Sequence, residues 1–220
     1  MKTSLVFFIL ISLNMFSMQS QNSYLALGDS YTVGESVPSE KTWPYLIADF
    51  LNQKGIDVLE PKVIAKTGWR TDELITAIDD TDLKSESYDL VSLLIGVNNQ
   101  YQEKPINQFT TEFEILLKKA IAFNKNGVQT TFVVGIPDYS ITPYALKNDK
   151  ENADQEIKKY NKIAQLICEK YNVDYYPIFK LSRAFKGKEN YFVDDELHPS
   201  AIQYQKWFDS FKDDVFRLVN

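Results

Sequence analysis

The chain has 220 residues, of which 44% are hydrophobic and 25% are charged, a composition that excludes a disordered, collagen-like or coiled-coil protein. Its formal net charge is −6, whereas nucleic-acid binding requires a positively charged surface, so no nucleic-acid partner is expected. One Cys and one His exclude an intramolecular disulfide framework, a cysteine-based zinc site and a histidine-rich metal site.

The first twenty residues predict a secretory signal peptide. A lysine after the initiator methionine precedes an apolar run over 5–13, and Ser20 ends the segment with a small residue before polar Gln21. A membrane anchor is the alternative, but the run is shorter than the roughly 20 residues that a span needs. We therefore expect cleavage of residues 1–20, no membrane-spanning segment afterwards, one mature domain over 21–220, and a periplasmic or extracellular location.

The rest of the chain alternates apolar strands with amphipathic helices. Strands are predicted from short apolar runs, and helices from apolar residues that recur every three or four positions. In chain order these are a strand at 24–27, a helix at 43–51, a strand at 63–65, a helix at 71–78, a strand at 90–95, a helix at 109–121, a strand at 130–136, a helix at 157–171, a strand at 173–176 and a helix at 204–218. The alternation predicts one α/β domain with a mainly parallel five-stranded sheet covered by helices on both faces. Cys168 lies on the apolar stripe of its helix, so we expect it in the core.

Ligands of such sheets bind beyond the carboxyl ends of the strands, and Ser30 lies at the first of these ends. It belongs to the segment Gly28-Asp29-Ser30-Tyr31, which directly follows the first predicted strand. A serine at this place can present its hydroxyl over the sheet edge, where a base can reach it. The alternative interpretation is that Asp29 or Ser30 only forms a turn or caps a helix.

Asp195 and the single histidine, His198, lie just before the last predicted helix. A separation of three residues allows one turn to bring the carboxylate to the imidazole, which it would orient and stabilise when protonated. Pro199 fits the first position of a helix, which would place His198 at the helix start. The alternative is a surface cap with an incidental histidine.

Two further segments offer hydrogen-bond donors to a developing negative charge. Gly96-Val97-Asn98-Asn99 follows the third strand, and Gly68 lies at a junction between a strand and a helix. An amide side chain and backbone N–H groups close to a nucleophile suit an oxyanion. Both segments can also be interpreted as ordinary polar turns.

The ordered blocks Gly-Asp-Ser-Tyr, Gly68, Gly96-x-Asn98 and Asp195-x-x-His198 resemble those of the SGNH hydrolases, also called GDSL esterases and lipases. The resemblance extends over residues 24 to 207 and is nearest to bacterial lysophospholipase-like or arylesterase-like members. It implies a flavodoxin-like three-layer α/β/α fold that needs no metal or cofactor. It also implies roles for individual residues. These are Ser30 as nucleophile, His198 as general base, Asp195 as its orienting carboxylate, and an oxyanion hole made by the Ser30 and Gly68 backbone N–H groups with the Asn98 side chain.

Two positions depart from the pattern that the family often shows. Asn99 stands where the third block often has Asp, and Glu196 stands where the last block often has Gly. The spacing of the blocks is intact, so the departures concern the local bonding of the loops and the charge beside Asp195.

The resemblance implies a serine esterase that hydrolyses carboxylic esters, with a short-chain acyl ester, an acetylated glycan, a lysophospholipid or a thioester as the small-molecule substrate. Aromatic residues near the strand ends can wall an acyl or aryl pocket, or can equally be core or rim residues; they are Tyr31, Trp69, Tyr101, Tyr139 and Tyr144. A non-catalytic carbohydrate- or lipid-binding module on a decayed hydrolase fold, and an acyltransferase, are the alternative functions.

Overall fold

The apolar runs of the sequence form one parallel sheet in the computed structural model, which describes residues 21–81, 83 and 86–220. The strands are β1 (Tyr24–Asp29), β2 (Lys62–Lys66), β3 (Leu90–Leu94), β4 (Thr131–Val134) and β5 (Asp174–Tyr176). Every neighbouring pair is parallel, and the order across the sheet is β2-β1-β3-β4-β5. The predicted signal peptide over 1–20 lies outside the described residues.

This strand order fixes where a ligand can bind. From β1 the chain moves outward to β2 and then crosses back to β3 on the other side of β1, so the connections after β1 and β3 diverge. A crevice opens at the carboxyl ends of such a pair in flavodoxin-like sheets. Ser30 follows β1 directly, and Asn98 comes four residues after the last residue of β3. The predicted five-stranded α/β/α fold is confirmed.

Helices cover both faces of the sheet. In the described residues they are α1 (Ser30–Val33), α2 (Trp43–Gln53), α3 (Thr71–Asp80), α4 (Val97–Tyr101), α5 (Ile106–Phe123), α6 (Pro143–Lys147), α7 (Asp154–Tyr171), α8 (Phe179–Arg183) and α9 (Ala201–Val219). Helices α2 and α9 pack together on one face, while α5 packs between α3 and α7 on the other. Within the described ranges no helix is sufficiently long and apolar to cross a bilayer.

The core is continuous from the sheet into both helical layers. Strand β3 is buried along its whole length because helices cover both of its faces. Its one polar side chain, Ser92, is satisfied by a 2.9 Å hydrogen bond to the Tyr24 hydroxyl. Cys168 lies in the core as its position on the helix stripe predicts, and burial raises the pKa of its thiol to about 12. A thiol with so high a pKa carries little thiolate and is not a nucleophile at neutral pH.

The start of the last helix differs from the prediction. Helix α9 begins at Ala201 after an N-cap at Ser200, whereas Pro199 forms an antiparallel bridge with Phe192 instead of occupying the first helical position. The proline ring allows either conformation. The Ser200 N–H donates to the Tyr191 carbonyl at 2.9 Å, and this pairing keeps Pro199 extended. His198 is consequently held in a loop, two residues before the helix cap.

Candidate active site

Ser30 is the first residue of α1, a single turn that begins where β1 ends. The Asp29 carboxylate caps this turn by accepting the Tyr31 N–H at 3.0 Å, and Gly34 ends it in the left-handed conformation. The Ser30 N–H, at the first helical position, has no acceptor within the helix. Ser30 is only 3% exposed, yet it lines a cavity at the carboxyl ends of the strands.

Gly28 allows α1 to sit tightly on the end of the sheet. A Cβ atom at this position would lie 2.1 Å from the Thr32 Oγ1 and 2.5 Å from the Leu94 carbonyl oxygen. The second contact is with backbone, which cannot move away without disturbing β3. Glycine is therefore required for the close approach that places Ser30 over the strand end.

The carboxyl group of Asp29, the residue before Ser30, is buried. Its side chain is completely inaccessible, and burial raises its pKa to about 7 despite the hydrogen bond from the backbone N–H group of Tyr31. Its Oδ2 atom has no hydrogen-bond partner among the described residues. The fold thus keeps the ionisable Asp29 carboxyl group out of water.

The Asp195 carboxylate makes two hydrogen bonds to His198 and a third to the backbone of Leu197. Its Oδ2 lies 2.6 Å from Nδ1 of the His198 ring, while its Oδ1 accepts the backbone N–H groups of Leu197 at 2.8 Å and His198 at 2.9 Å. The loop is closed from the other side because the Val193 N–H donates to the His198 carbonyl at 3.0 Å. The ring is therefore fixed at both its backbone and its Nδ1 atom.

Asp195 remains ionised down to acid pH. Partial burial works to raise its pKa, but the hydrogen bonds from the His198 ring and from the two backbone N–H groups outweigh it and lower the pKa below the usual range. With an ionised carboxylate at Nδ1, that ring atom carries a proton and Nε2 is left as the acceptor. The contact with Asp195 therefore leaves Nε2 as the ring atom that faces away from the carboxylate.

The segment that contains Ser30 and the segment that contains His198 meet at one cavity of about 130 Å³. It is lined by Ser30, Tyr31, Thr67, Gly68, Val97, Asn98, Tyr101, Tyr139, Leu197 and His198. No hydrogen bond joins the Ser30 hydroxyl to the His198 ring in the part of the chain that the structure describes. Hydrogen bonds of this kind often form only with substrate in place, so the shared cavity is the relevant geometry. The Tyr31 ring supports the imidazole at an edge-on angle, with 6.2 Å between the centroids.

The loops after β2 and β3 place the remaining predicted donors at the same cavity. Gly68 adopts φ +85°, a conformation that L side chains rarely adopt, and its N–H belongs to the loop that lines the cavity. The Asn98 side chain donates one amide hydrogen to the Trp69 carbonyl at 3.0 Å. That bond orients the amide and leaves its second hydrogen for another acceptor. A further bond, from Gln102 to the Gly68 carbonyl at 3.2 Å, ties the two loops together.

The Asn99 side chain forms hydrogen bonds with the first residue of α3. Its Oδ1 accepts the Thr71 N–H at 3.0 Å, and its amide donates to the Thr71 hydroxyl at 2.7 Å. An asparagine supplies both the acceptor and the donor that this buried position uses. The departure from Asp therefore leaves the loop fully bonded.

Glu196, the second departure, adopts the left-handed conformation with φ +61°. A glycine takes this conformation at no steric cost, whereas a residue with a Cβ atom is strained. The Glu196 carboxylate is paired with Lys147 of α6, with N–O distances of 2.5 and 2.7 Å. Its carbonyl also accepts the Tyr144 N–H at 3.1 Å, so the charge is compensated and the loop is attached to α6.

The aromatic candidates divide into three groups. Tyr31, Tyr101 and Tyr139 line the cavity, Tyr144 reaches it through a hydrogen bond to the Tyr101 hydroxyl, and Trp69 is not among the described residues that line it. The sequence reasoning did not single out three further lining residues, which are Thr67, Val97 and Leu197. Each of them directly precedes a predicted site residue, and this adjacency is the only signal that could have identified them.

Known proteins similar to this chain act on esters. The model of the GDSL-like Lipase/Acylhydrolase family matches residues 26–206. An arylesterase from Vibrio mimicus is 29% identical over 213 residues, which cover 94% of this chain and 93% of that protein.

Solved structures of similar fold include two esterases. The psychrotrophic esterase EstA from Pseudoalteromonas sp. has 21% sequence identity and a TM-score of 0.68, with 91% of this chain and 100% of that chain covered. Axe2, an acetylxylan esterase from Geobacillus stearothermophilus, has 14% identity and a TM-score of 0.67, with 89% and 94% covered. At these identities the likeness establishes the fold.

Proposed function

The chain belongs to the GDSL-like Lipase/Acylhydrolase family and is a carboxylic ester hydrolase, and from that premise we propose that it cleaves short-chain acyl esters through an acyl-enzyme on Ser30. One observation carries the proposal. The His198 ring, held by Asp195 at 2.6 Å, lines the same cavity as Ser30, Gly68 and Asn98.

The first half of the reaction forms the acyl-enzyme. The Ser30 Oγ attacks the ester carbonyl carbon while Nε2 of His198 takes the hydroxyl proton. The imidazolium that forms is stabilised by the ionised Asp195 carboxylate at Nδ1. When the tetrahedral intermediate collapses, the bond to the alcohol oxygen breaks and His198 gives its proton to that oxygen.

The negative oxygen of the intermediate needs donors that are already in place. The backbone N–H groups of Ser30 and Gly68 and the second amide hydrogen of Asn98 are the available groups at the cavity. The bond from Asn98 to the Trp69 carbonyl holds the amide in position before the reaction. Donors that do not have to reorient stabilise the transition state more than water does.

The second half of the reaction releases the acid. A water molecule attacks the acyl carbon and gives its proton to His198 Nε2. The second tetrahedral intermediate uses the same three donors. Its collapse breaks the bond to Ser30 Oγ, which takes the proton back from His198, and the carboxylic acid leaves. In each half His198 acts first as the base and then as the acid, while Ser30 Oγ loses a proton in the first half and regains one in the second.

The size of the cavity supports a short acyl group. A volume of about 130 Å³ is well below the roughly 300–1,000 Å³ of pockets that hold drug-sized ligands. This accommodates an acyl chain of a few heavy atoms. The names of similar proteins, an arylesterase and an acetylxylan esterase, are consistent with small acyl groups on different alcohols.

Hydrolysis of p-nitrophenyl acetate tests the proposal. We expect turnover by the intact protein and loss of nearly all turnover in Ser30→Ala, with the far-UV circular dichroism spectrum unchanged. Ser39→Ala, an exposed serine in the loop before α2, is the matched control and should keep full activity. Turnover that persists in Ser30→Ala would contradict the acyl-enzyme. A folded wild-type protein that hydrolyses no short ester would favour the non-catalytic binding module.

Export is part of the proposal and rests on the amino-terminal segment. A signal peptide over residues 1–20 would leave a mature protein that starts near Gln21 and works outside the cytoplasm. Expression of the full chain in a bacterial host, followed by amino-terminal sequencing of the protein from the periplasm or medium, tests this. A protein that stays in the cytoplasm with its first twenty residues would contradict it.

A further inference from the structure

Two cavities lie side by side at the carboxyl ends of the strands. The catalytic cavity has about 130 Å³, and the neighbouring groove, bordered by Lys150 and Lys159 among other polar residues, has about 470 Å³. Tyr101 and Tyr139 line both of them. These two side chains are therefore the wall that separates the small catalytic cavity from the larger space.

The two tyrosines of the wall differ in how firmly they are held. Tyr139 is 3% exposed, and its hydroxyl donates to the buried Gln100 at 2.8 Å. Tyr101 is 36% exposed and packs edge-on against Tyr139 with 5.9 Å between the ring centroids. The Lys150 ammonium lies 5.8 Å from the centroid of the Tyr101 ring. Tyr139 is therefore part of the buried core, whereas the Tyr101 ring lies at the surface, where it can be truncated without disturbing the core.

A hydrogen bond holds the Tyr101 ring in its place between the two cavities. Its hydroxyl lies 2.8 Å from the Tyr144 hydroxyl, so the last residue of α4 is joined to α6. Helix α6 is attached in turn to the histidine loop, through the Tyr144 N–H on the Glu196 carbonyl and through the pair of Lys147 with Glu196. A chain of contacts thus runs from the Asn98 loop to the His198 loop and passes over the boundary between the two cavities.

We propose that the Tyr101–Tyr144 pair forms a crossbar that limits the length of the acyl chain, with the Tyr101 ring as the barrier between the catalytic cavity and the neighbouring groove. The inference rests on the proposed function, because it assigns the 130 Å³ cavity to the acyl group of the substrate. Truncating Tyr101 would join the two spaces and admit longer chains. Tyr101 is thereby assigned as a specificity-determining residue.

The test compares kcat/KM for p-nitrophenyl octanoate with kcat/KM for p-nitrophenyl acetate in each purified variant. A ratio taken within one variant is independent of the active fraction of the preparation. We expect a low ratio in the wild type and an increase of about tenfold or more in Tyr101→Ala, since one methylene group in a tight pocket can already change kcat/KM by about that factor. Tyr101→Phe and Tyr144→Phe keep the rings but break the hydroxyl pair, and their ratios should fall between the two.

Tyr45→Ala is the matched control, because Tyr45 is a partly exposed tyrosine of α2 that lines a different surface cavity. Its ratio should equal that of the wild type. An unchanged ratio in Tyr101→Ala that still hydrolyses the acetate ester would overturn the crossbar and leave the proposed function standing. A wild type that prefers the octanoate would overturn both the crossbar and the short-chain preference, and would leave the acyl-enzyme on Ser30 standing. If Tyr101→Ala does not fold, Tyr101→Val opens the same wall and decides by the same ratio. A wild type with no activity on either ester would instead overturn the proposed function.

Discussion

Nδ1 of His198 lies 2.6 Å from Oδ2 of Asp195, and the other oxygen of the same carboxylate accepts the His198 backbone N–H. One side chain therefore fixes both the main chain and the ring of the proposed general base. The ring is 14% exposed and the carboxylate is 39% exposed, so the bond lies at the edge of the protein. Orientation of the imidazole, more than exclusion of water, is what this carboxylate provides.

Asp195→Asn should lower kcat for p-nitrophenyl acetate by roughly 10²- to 10⁴-fold. An amide nitrogen facing Nδ1 would donate instead of accepting, which favours the tautomer with the proton on Nε2 and removes the free base. Asp194→Asn changes the neighbouring exposed carboxylate by the same substitution and should keep its kcat within a few-fold of the wild type. Equal activity of Asp195→Asn and Asp194→Asn would remove the orienting role from Asp195.

Asn98→Ala should reduce kcat by about 10²- to 10³-fold, because it removes one donor to the oxyanion. KM should change much less, since the ground-state carbonyl oxygen does not yet carry the charge. Steady-state kinetics on p-nitrophenyl acetate, with the exposed Asn107→Ala as control, provide the measurement. A variant with a raised KM and an unchanged kcat would show that Asn98 binds substrate without stabilising the intermediate.

Because Glu196 has a left-handed backbone conformation, we predict that its glycine variant is more stable than its alanine variant. Glu196→Gly and Glu196→Ala both remove the carboxylate that pairs with Lys147, and they differ only in the Cβ atom. At φ +61° the Cβ atom costs about 1 kcal/mol, so the glycine variant should have the larger free energy of unfolding by about that amount. Urea denaturation measures the difference. An alanine variant as stable as the glycine variant would contradict this order.

From the raised pKa of Asp29 we predict that the free energy of unfolding falls as the pH rises from about 4 to 7. Its pKa is raised to about 7 in the folded protein from the ordinary value of 3.8, so the folded state binds more protons than the unfolded state in this window. Its ionisation should lower the free energy of unfolding by roughly 2 kcal/mol between pH 5 and pH 7, at 1.36 kcal/mol for each unit of pKa. Asp29→Asn has no such ionisation.

Urea denaturation of the wild type and of Asp29→Asn at pH 5, 6, 7 and 8 measures this contribution. We expect the stability of the wild type relative to the variant to decline up to pH 7 and then to level off near pH 8. A difference that is constant with pH would show that the Asp29 carboxyl group has the same pKa in the folded and unfolded states.

The sequence predicted the sheet because burial on both faces leaves a recognisable signal. The five-residue β3 is apolar except for Ser92, and the long helices repeat their apolar positions every three or four residues. Helices α1, α4, α6 and α8 were not predicted, because four or five residues are too few to show a helical period. Pro199 was predicted as the first residue of α9, but the helix begins at Ala201. The difference arises because the Ser200 N–H pairs with the Tyr191 carbonyl, a contact between separate segments that a local pattern does not contain.

For the candidate site, the sequence predicted the residue types and their order along the chain but not the contacts between them. The strand-end rule identified the segments that hold Ser30, Gly68 and Asn98, and the structure places all three at one cavity with His198. The pair of Lys147 with Glu196 joins segments that are 49 residues apart, and nothing in either segment predicts the other. The attachment of α6 to the loop that holds His198 therefore became visible only in three dimensions.

Covalent labelling with a fluorophosphonate is the most direct test of Ser30 as the nucleophile. We predict one phosphonyl group per protein molecule by intact mass, located on the peptide that contains Ser30, and a strongly reduced labelling rate in His198→Ala. A label on another residue, or an enzyme that hydrolyses esters at full rate after exposure without any label, would contradict the account.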